Sequence, residues 1–261
     1  MIVAFDVGNT ETTIGIFAGP ELQAHWRIMT DVARTPDEFG LTLSALLLSQ
    51  GVQRGAIRGA VIGSVVPPVT VPLEQACSRW LGVEAVVVDA QSALPIVLDV
   101  DEPLTVGADR IINTLAASRM YRCDTIVVDL GTATTYDCIT ADGIFLGGII
   151  APGVRTSADT LVRRTSKLPA TELVPPAHAI GKRTEDCIRS GVMLGTADAV
   201  DGLVRRIKRE WPTSAVPRVV ATGGLAESIA PLCAEVQMVE PFLTLYGLHM
   251  AYELLTGRCR E

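Results

Sequence analysis

Ile2-Val3-Ala4-Phe5-Asp6-Val7-Gly8-Asn9-Thr10-Glu11-Thr12-Thr13 joins an apolar run to an acid, a glycine turn and a cluster of hydroxyls. The pattern returns as Thr125-Ile126-Val127-Val128-Asp129-Leu130-Gly131-Thr132-Ala133-Thr134-Thr135. Aligned by eye, Asp6 falls on Asp129, Gly8 on Gly131 and Thr12 on Thr135. Each copy reads as a buried strand, a turn and a second strand. Such a recurrence implies two similar halves facing each other. No low-complexity linker separates them, so the boundary is expected inside the helix after Arg110, giving halves at 1–114 and 115–261.

Apolar β-rich runs alternate with amphipathic helical ones, the mark of an α/β architecture. Strands are expected at 2–6, 13–18, 60–66, 85–89, 125–129, 135–140, 145–150 and 218–221, with Pro67-Pro68 ending the third. Thr35-Pro36-Asp37-Glu38 is a capping box with proline at the first helical position, and its helix should stop at Gly51. Further helices are expected at 71–80, from Gly107 to about Tyr121, at 155–164, at 184–210 and at 244–255, the last closed by Gly257.

A glycine-tipped hairpin lets backbone N–H groups approach a phosphate with no Cβ in the way. Asn9, Thr10, Thr12 and Thr132 add neutral donors. An aspartate at the strand end cannot bind phosphate itself, but it can hold a divalent cation that bridges phosphate oxygens. One such turn is common; two, each after an apolar strand and each rich in threonine, point to nucleotide phosphates gripped from both sides. Thr222-Gly223-Gly224 follows a short strand and suits either a flat approach to adenine or ribose, or an ordinary strand-to-helix turn. The glycines of Gly147-Gly148-Ile149-Ile150-Ala151-Pro152-Gly153 suit either a ligand or close chain packing.

Other chemistries lose ground. Gly181-Lys182-Arg183-Thr184 lacks the upstream glycine of a P-loop, and there is no GxGxxG, GxSxG or HExxH. Six cysteines (77, 123, 138, 187, 233 and 259) are scattered without a CxxC, which fits reduced thiols in a cytoplasm. A formal charge of −7 leaves no basic excess to neutralise nucleic acid, and no apolar stretch reaches the length of a membrane span.

Asp6-Val7-Gly8-Asn9-Thr10, Gly107-Ala108-Asp109-Arg110, Asp129 through Asp137 and Gly147-Gly148-x-Ile150-x-Pro152-Gly153, in this order, closely resemble the type III pantothenate kinases. The resemblance covers nearly the whole chain. It implies a duplicated actin-like (ribonuclease H-like) ATPase fold, two similar domains with a cleft between them. It also implies ATP-dependent phosphorylation of pantothenate in coenzyme A synthesis by a cytoplasmic homodimer. A divalent cation such as Mg²⁺ and a monovalent one, K⁺ or NH₄⁺, are expected with it. Carried over by motif, Asp6, Val7, Gly8, Asn9, Thr10, Glu11, Thr12 and Thr13 form the first ATP-binding segment, with Asp6 supporting magnesium, directly or through water. Gly107, Ala108, Asp109 and Arg110 contact pantothenate, with Asp109 as general base. Asp129 binds the monovalent cation and Thr132 touches ATP. Thr184 and Val100 fall at substrate-contact positions; many members carry an aromatic residue where this chain has Val100. The residues alone leave Asp109-Arg110 open between catalysis and a helix-start acid with a solvated arginine; the resemblance favours catalysis.

Overall fold

The computed structural model describes residues 1–257, so Cys259 lies outside the described residues. The chain forms two compact units: Met1–Arg119 together with the segment from Leu243 onward, and Met120–Phe242. The first contains β1 (Ile2–Val7), β2 (Glu11–Ala18), β3 (Glu21–Met29), α1 (Pro36–Ser49), β4 (Gly59–Ser64), α2 (Pro67–Ala76), β5 (Ala85–Val88), β6 (Val97–Leu98) and most of α3 (Ala108–Tyr121). The second contains β7 (Thr125–Leu130), β8 (Ala133–Ile139), β9 (Ile144–Pro152), α4 (Val154–Arg164), α5 (Thr184–Glu210), β10 (Arg218–Thr222), α6 (Ala226–Ile229) and β11 (Met238–Val239). The last helix, α7 (Leu243–Leu255), belongs with the first.

The duplication holds strand for strand. The first sheet runs β3-β2-β1-β4-β5, and the strands of the second unit run β9-β8-β7-β10-β11. In both, the leading strand pairs antiparallel with the next, which pairs antiparallel with the third; the remaining two strands join in parallel. This is the duplicated actin-like arrangement expected above.

Strand periodicity sets the layers, because successive side chains face opposite sides. Val3, Phe5, Ile14, Ile16 and Ile62 pack with Phe39, Leu43 and Leu73 in one core beneath α1 and α2. Ala4, Asp6, Gly15 and Gly63 face the other way. There Leu245 of α7 packs over Gly15, while Ile112 of α3 and Leu248 of α7 pack over Gly63. In the second unit Ile126, Val128, Tyr136, Val219 and Ala221 pack with Met193, Val200 and Val204 of α5.

Local chemistry fixes most ends. Thr35 and Glu38 form the reciprocal capping box of α1, with Pro36 in its first turn, and Gly51 takes a φ of 68° just beyond it. Pro67 and Pro68 do more than end β4: they occupy the first turn of α2, where the missing N–H is no loss. Helix α2 therefore begins earlier than the expected Val71. β3, β6, β11 and α6 are additions to the expected elements. A contiguous split at 114/115 also gives way, because α7 returns to the first sheet. Thr244 Oγ1 donates to Asn113 Oδ1 at 3.1 Å, and both residues are buried.

That hydrogen bond ties α7 to α3 where water cannot replace it. Thr244→Val should destabilise the protein by about 1–3 kcal/mol, the cost of leaving a buried polar group unpaired. Urea unfolding checks it; an unchanged midpoint would contradict this role for the pair.

Candidate active site

The ends of β1 and β4 lie side by side, Val7 opposite Ser64, and α3 begins beside them, with Gly107 against Val65. Across the sheet the register places Gly63 beside Asp6, Asp6 opposite Thr13, and Thr13 opposite Arg27. Directly paired residues project to the same face. Asp6, Thr13 and Arg27 therefore form one row on the side where α3 starts.

This row corrects the alignment of the two hairpins. Thr13, not Thr12, is the counterpart of Thr135, because Asp129 pairs with Thr135 as Asp6 pairs with Thr13. The first turn is one residue longer: Gly8 N–H bonds to Glu11 O, whereas Gly131 N–H bonds to Ala133 O. Thr12 corresponds to Thr134, and both are buried. The Thr12 hydroxyl is engaged with that of Thr30 at 2.9 Å, and Thr30 N–H bonds to Thr10 O. The tip of the hairpin is thus tied to the end of β3, leaving Asn9, Thr10 and Glu11 exposed.

Asp6 and Asp109 are both half-buried. Burial pushes the Asp6 carboxyl up to about 7; the nearby Asp109 carboxylate adds to the rise, and Arg27 opposes it. Burial also raises Asp109, against the pull of the Arg110 N–H and the Arg110 guanidinium. Asp109 is the acid of the first turn of α3. Its Oδ1 accepts the Arg110 N–H at 2.8 Å. A Cβ on residue 107 would stand 2.5 Å from that oxygen, so only glycine lets the carboxylate fold back there. Val100 is half-buried between β6 and α3.

The second unit repeats the motif with a different surround. Asp129 ends β7 half-buried, paired with Thr135 on one side and Thr222 on the other. Gly223, at a φ of 91°, lies against the Asp129 carboxylate and the Leu130 peptide, where a side chain would collide. Gly223 is therefore a close-approach site as well as part of a strand-to-helix turn. Thr132 is exposed at the hairpin tip, and Thr156 donates to its carbonyl at 2.7 Å. Gly153 packs on the same tip, so among the glycines of 147–153 this one serves close chain packing. Thr184 is exposed at the first residue of α5.

The structure thus gathers Asp6, Thr13 and Gly107–Arg110 in the first unit and sets Asp129 and Thr132 in the second. Arg27 is not among the expected site residues because β3 is not among the expected strands. Its signal was the period-two alternation of Leu22, Ala24, Trp26 and Ile28 with Gln23, His25 and Arg27. Among the described residues no three His, Cys, Asp or Glu side chains cluster as a metal cage. A magnesium ion needs none, since it is commonly held by one or two carboxylates with phosphates and water completing its shell.

The comparisons with known proteins decide the family. The family model of type III pantothenate kinase matches residues 2–206. A type III pantothenate kinase from Thermomicrobium roseum is 44% identical over 253 residues, 97% of each chain. The chain belongs to the type III pantothenate kinase family. A second type III pantothenate kinase, from Moorella thermoacetica, is also 44% identical, over 97% of this chain and 99% of its own. Among solved structures, the activator of the 2-hydroxyisocaproyl-CoA dehydratase from Clostridium difficile with bound ADPNP has a TM-score of 0.58. It is 13% identical over 100% of this chain and 98% of that one, a likeness that shows the fold alone. No described helix of this family member is long and apolar enough to cross a membrane.

The raised Asp6 carboxyl has a signed effect on stability. Below the unfolded range near ~4 the group is protonated in both states and contributes nothing. From there to about 7 the folded state increasingly resists ionisation, and above 7 the penalty is complete. Asp6→Asn should therefore melt higher than the unaltered chain at pH 8, in chelator and without nucleotide, with the gap nearly closed at pH 4. A lower melting temperature at pH 8 would reverse this account.

Proposed function

We propose that this chain transfers the terminal phosphoryl group of ATP to the hydroxyl of pantothenate, yielding 4′-phosphopantothenate for coenzyme A synthesis. The observation that supports this most is the placement of Asp109 at the start of α3, its carboxylate fixed by the Arg110 N–H and near enough to Asp6 to raise it. A carboxylate within reach of the acceptor hydroxyl takes its proton as the new O–P bond forms. The raised proton affinity of Asp109 suits a base better than an ordinary surface aspartate does.

In this reading Asp6 is the carboxylate toward magnesium, directly or through water. The hairpin 8–11, exposed at residues 9–11, and Thr13 offer backbone and hydroxyl donors to phosphates. Magnesium, when bound, supplies charge neutralisation to the phosphate oxygens. Gly107, Ala108 and Arg110 hold pantothenate, with Arg110 suited to an anionic group. Val100 and Thr184 complete the substrate contacts. In the second unit Thr132 touches the nucleotide, and Asp129 is the carboxylate for the monovalent cation, an oxygen ligand to K⁺ or a hydrogen-bond acceptor for NH₄⁺. A cytoplasmic homodimer completes the assignment.

Incubation with ATP, magnesium, potassium and pantothenate should give 4′-phosphopantothenate by mass spectrometry; its absence beside retained nucleotide binding would reject the substrate. Asp109→Asn should lower kcat on the order of 10²–10⁴-fold while ATP still binds. Unchanged turnover would remove Asp109 from proton transfer. Replacing potassium by sodium should slow the unaltered enzyme, and Asp129→Asn should erase the difference between the two salts.

A further inference from the structure

β3 is the edge strand of the first sheet, and its outward residues need serve no core. One of them, Arg27, stands in the row that begins at Asp6 and passes through Thr13. Two strand spacings separate Asp6 from Arg27, roughly 10 Å between backbones. An arginine side chain spans much of that gap, and the Arg27 charge acts on the Asp6 carboxyl. Arg27 is itself exposed at this end of the sheet.

The duplicated fold supplies its own control. In the second unit the same row runs Asp129, Thr135 and Ile150. The third strand therefore carries an aliphatic residue where the first unit carries a guanidinium. The architecture does not demand a cation there, so Arg27 answers to something particular to the first hairpin. Its planar fork of N–H donors matches phosphate oxygens in a way that a point charge does not.

We propose that Arg27 is a binding residue for the terminal phosphate of the nucleotide, reaching over Thr13 toward the space in front of Asp6. This assignment rests on the kinase reading above and adds a contact outside the hairpin motif. The Asp6 side of the row directs a cation to the phosphates, and Arg27 meets the same group from the opposite end. Discrimination between triphosphate and diphosphate then resides partly in the edge strand.

Calorimetric titration with ADP and with a β,γ-imido ATP analogue, both with magnesium, tests this without turnover. Arg27→Gln should weaken the triphosphate analogue by about 10- to 100-fold, the value of a charge-assisted contact, and leave ADP nearly unchanged. Arg27→Lys should recover part of the loss. Equal affinity of Arg27→Gln and the unaltered chain for the analogue would overturn the proposal, as would an equal loss for both nucleotides. Failure of the unaltered chain to bind either nucleotide would instead overturn the kinase reading and this inference with it.

Discussion

Asp6 sits where two parallel strands end beside the first turn of a helix. That location limits its hydration and places a second carboxylate, Asp109, nearby. A carboxyl group so placed resists ionisation, and the folded chain carries that electrostatic cost whenever the group is charged. Nothing in the packing of the first unit requires an acid there. The cost makes sense if positive charge, from a cation or from Arg27, is brought to the same place. Around this pair the local structure is restrictive: residue 107 must lack a side chain for Asp109 to fold back, and the hairpin tip is tied to the end of β3.

Duplication gives the protein two versions of one scaffold and lets each acquire a separate chemistry. The strand order and pairing senses agree in both units, so the backbone positions of Asp6 and Asp129 are equivalent. Their surroundings are not. Asp6 is bordered by Gly63, Thr13 and the acid of α3, whereas Asp129 is bordered by Thr222, Thr135 and the left-handed Gly223. A carboxylate with a glycine packed against it in one unit and a row of opposite charges in the other suit different ions. The repeat creates the positions; the neighbours distinguish them.

Much of this was legible from residue order. The capping box and proline located α1 because those signals act within four residues, and α5 was bounded correctly because no proline falls in its 27 residues, acids open it and bases close it. The repeat itself exposed both hairpins. What escaped depended on distant partners or on register. β3 alternates polar and half-buried residues, since it lies at an edge and only one face is covered. Pro67-Pro68 reads equally as a strand stop and as a helix start, and the choice is made by what α2 packs against. Hydroxyl-rich turns of different length align by eye at the wrong threonine; only cross-strand pairing identifies Thr13. Arg27 was hidden for that reason as well, because its relation to Asp6 exists across a sheet and not along the chain.

The return of α7 to the first sheet bears on how the molecule comes into being. A ribosome releases Met120–Phe242 as one uninterrupted stretch, able to condense as soon as it emerges. The earlier unit, although made first, lacks Leu245 and Leu248 over its central strands until after that stretch is complete. The half bearing Asp6 and Asp109 therefore completes its apolar packing only once α7 has been made.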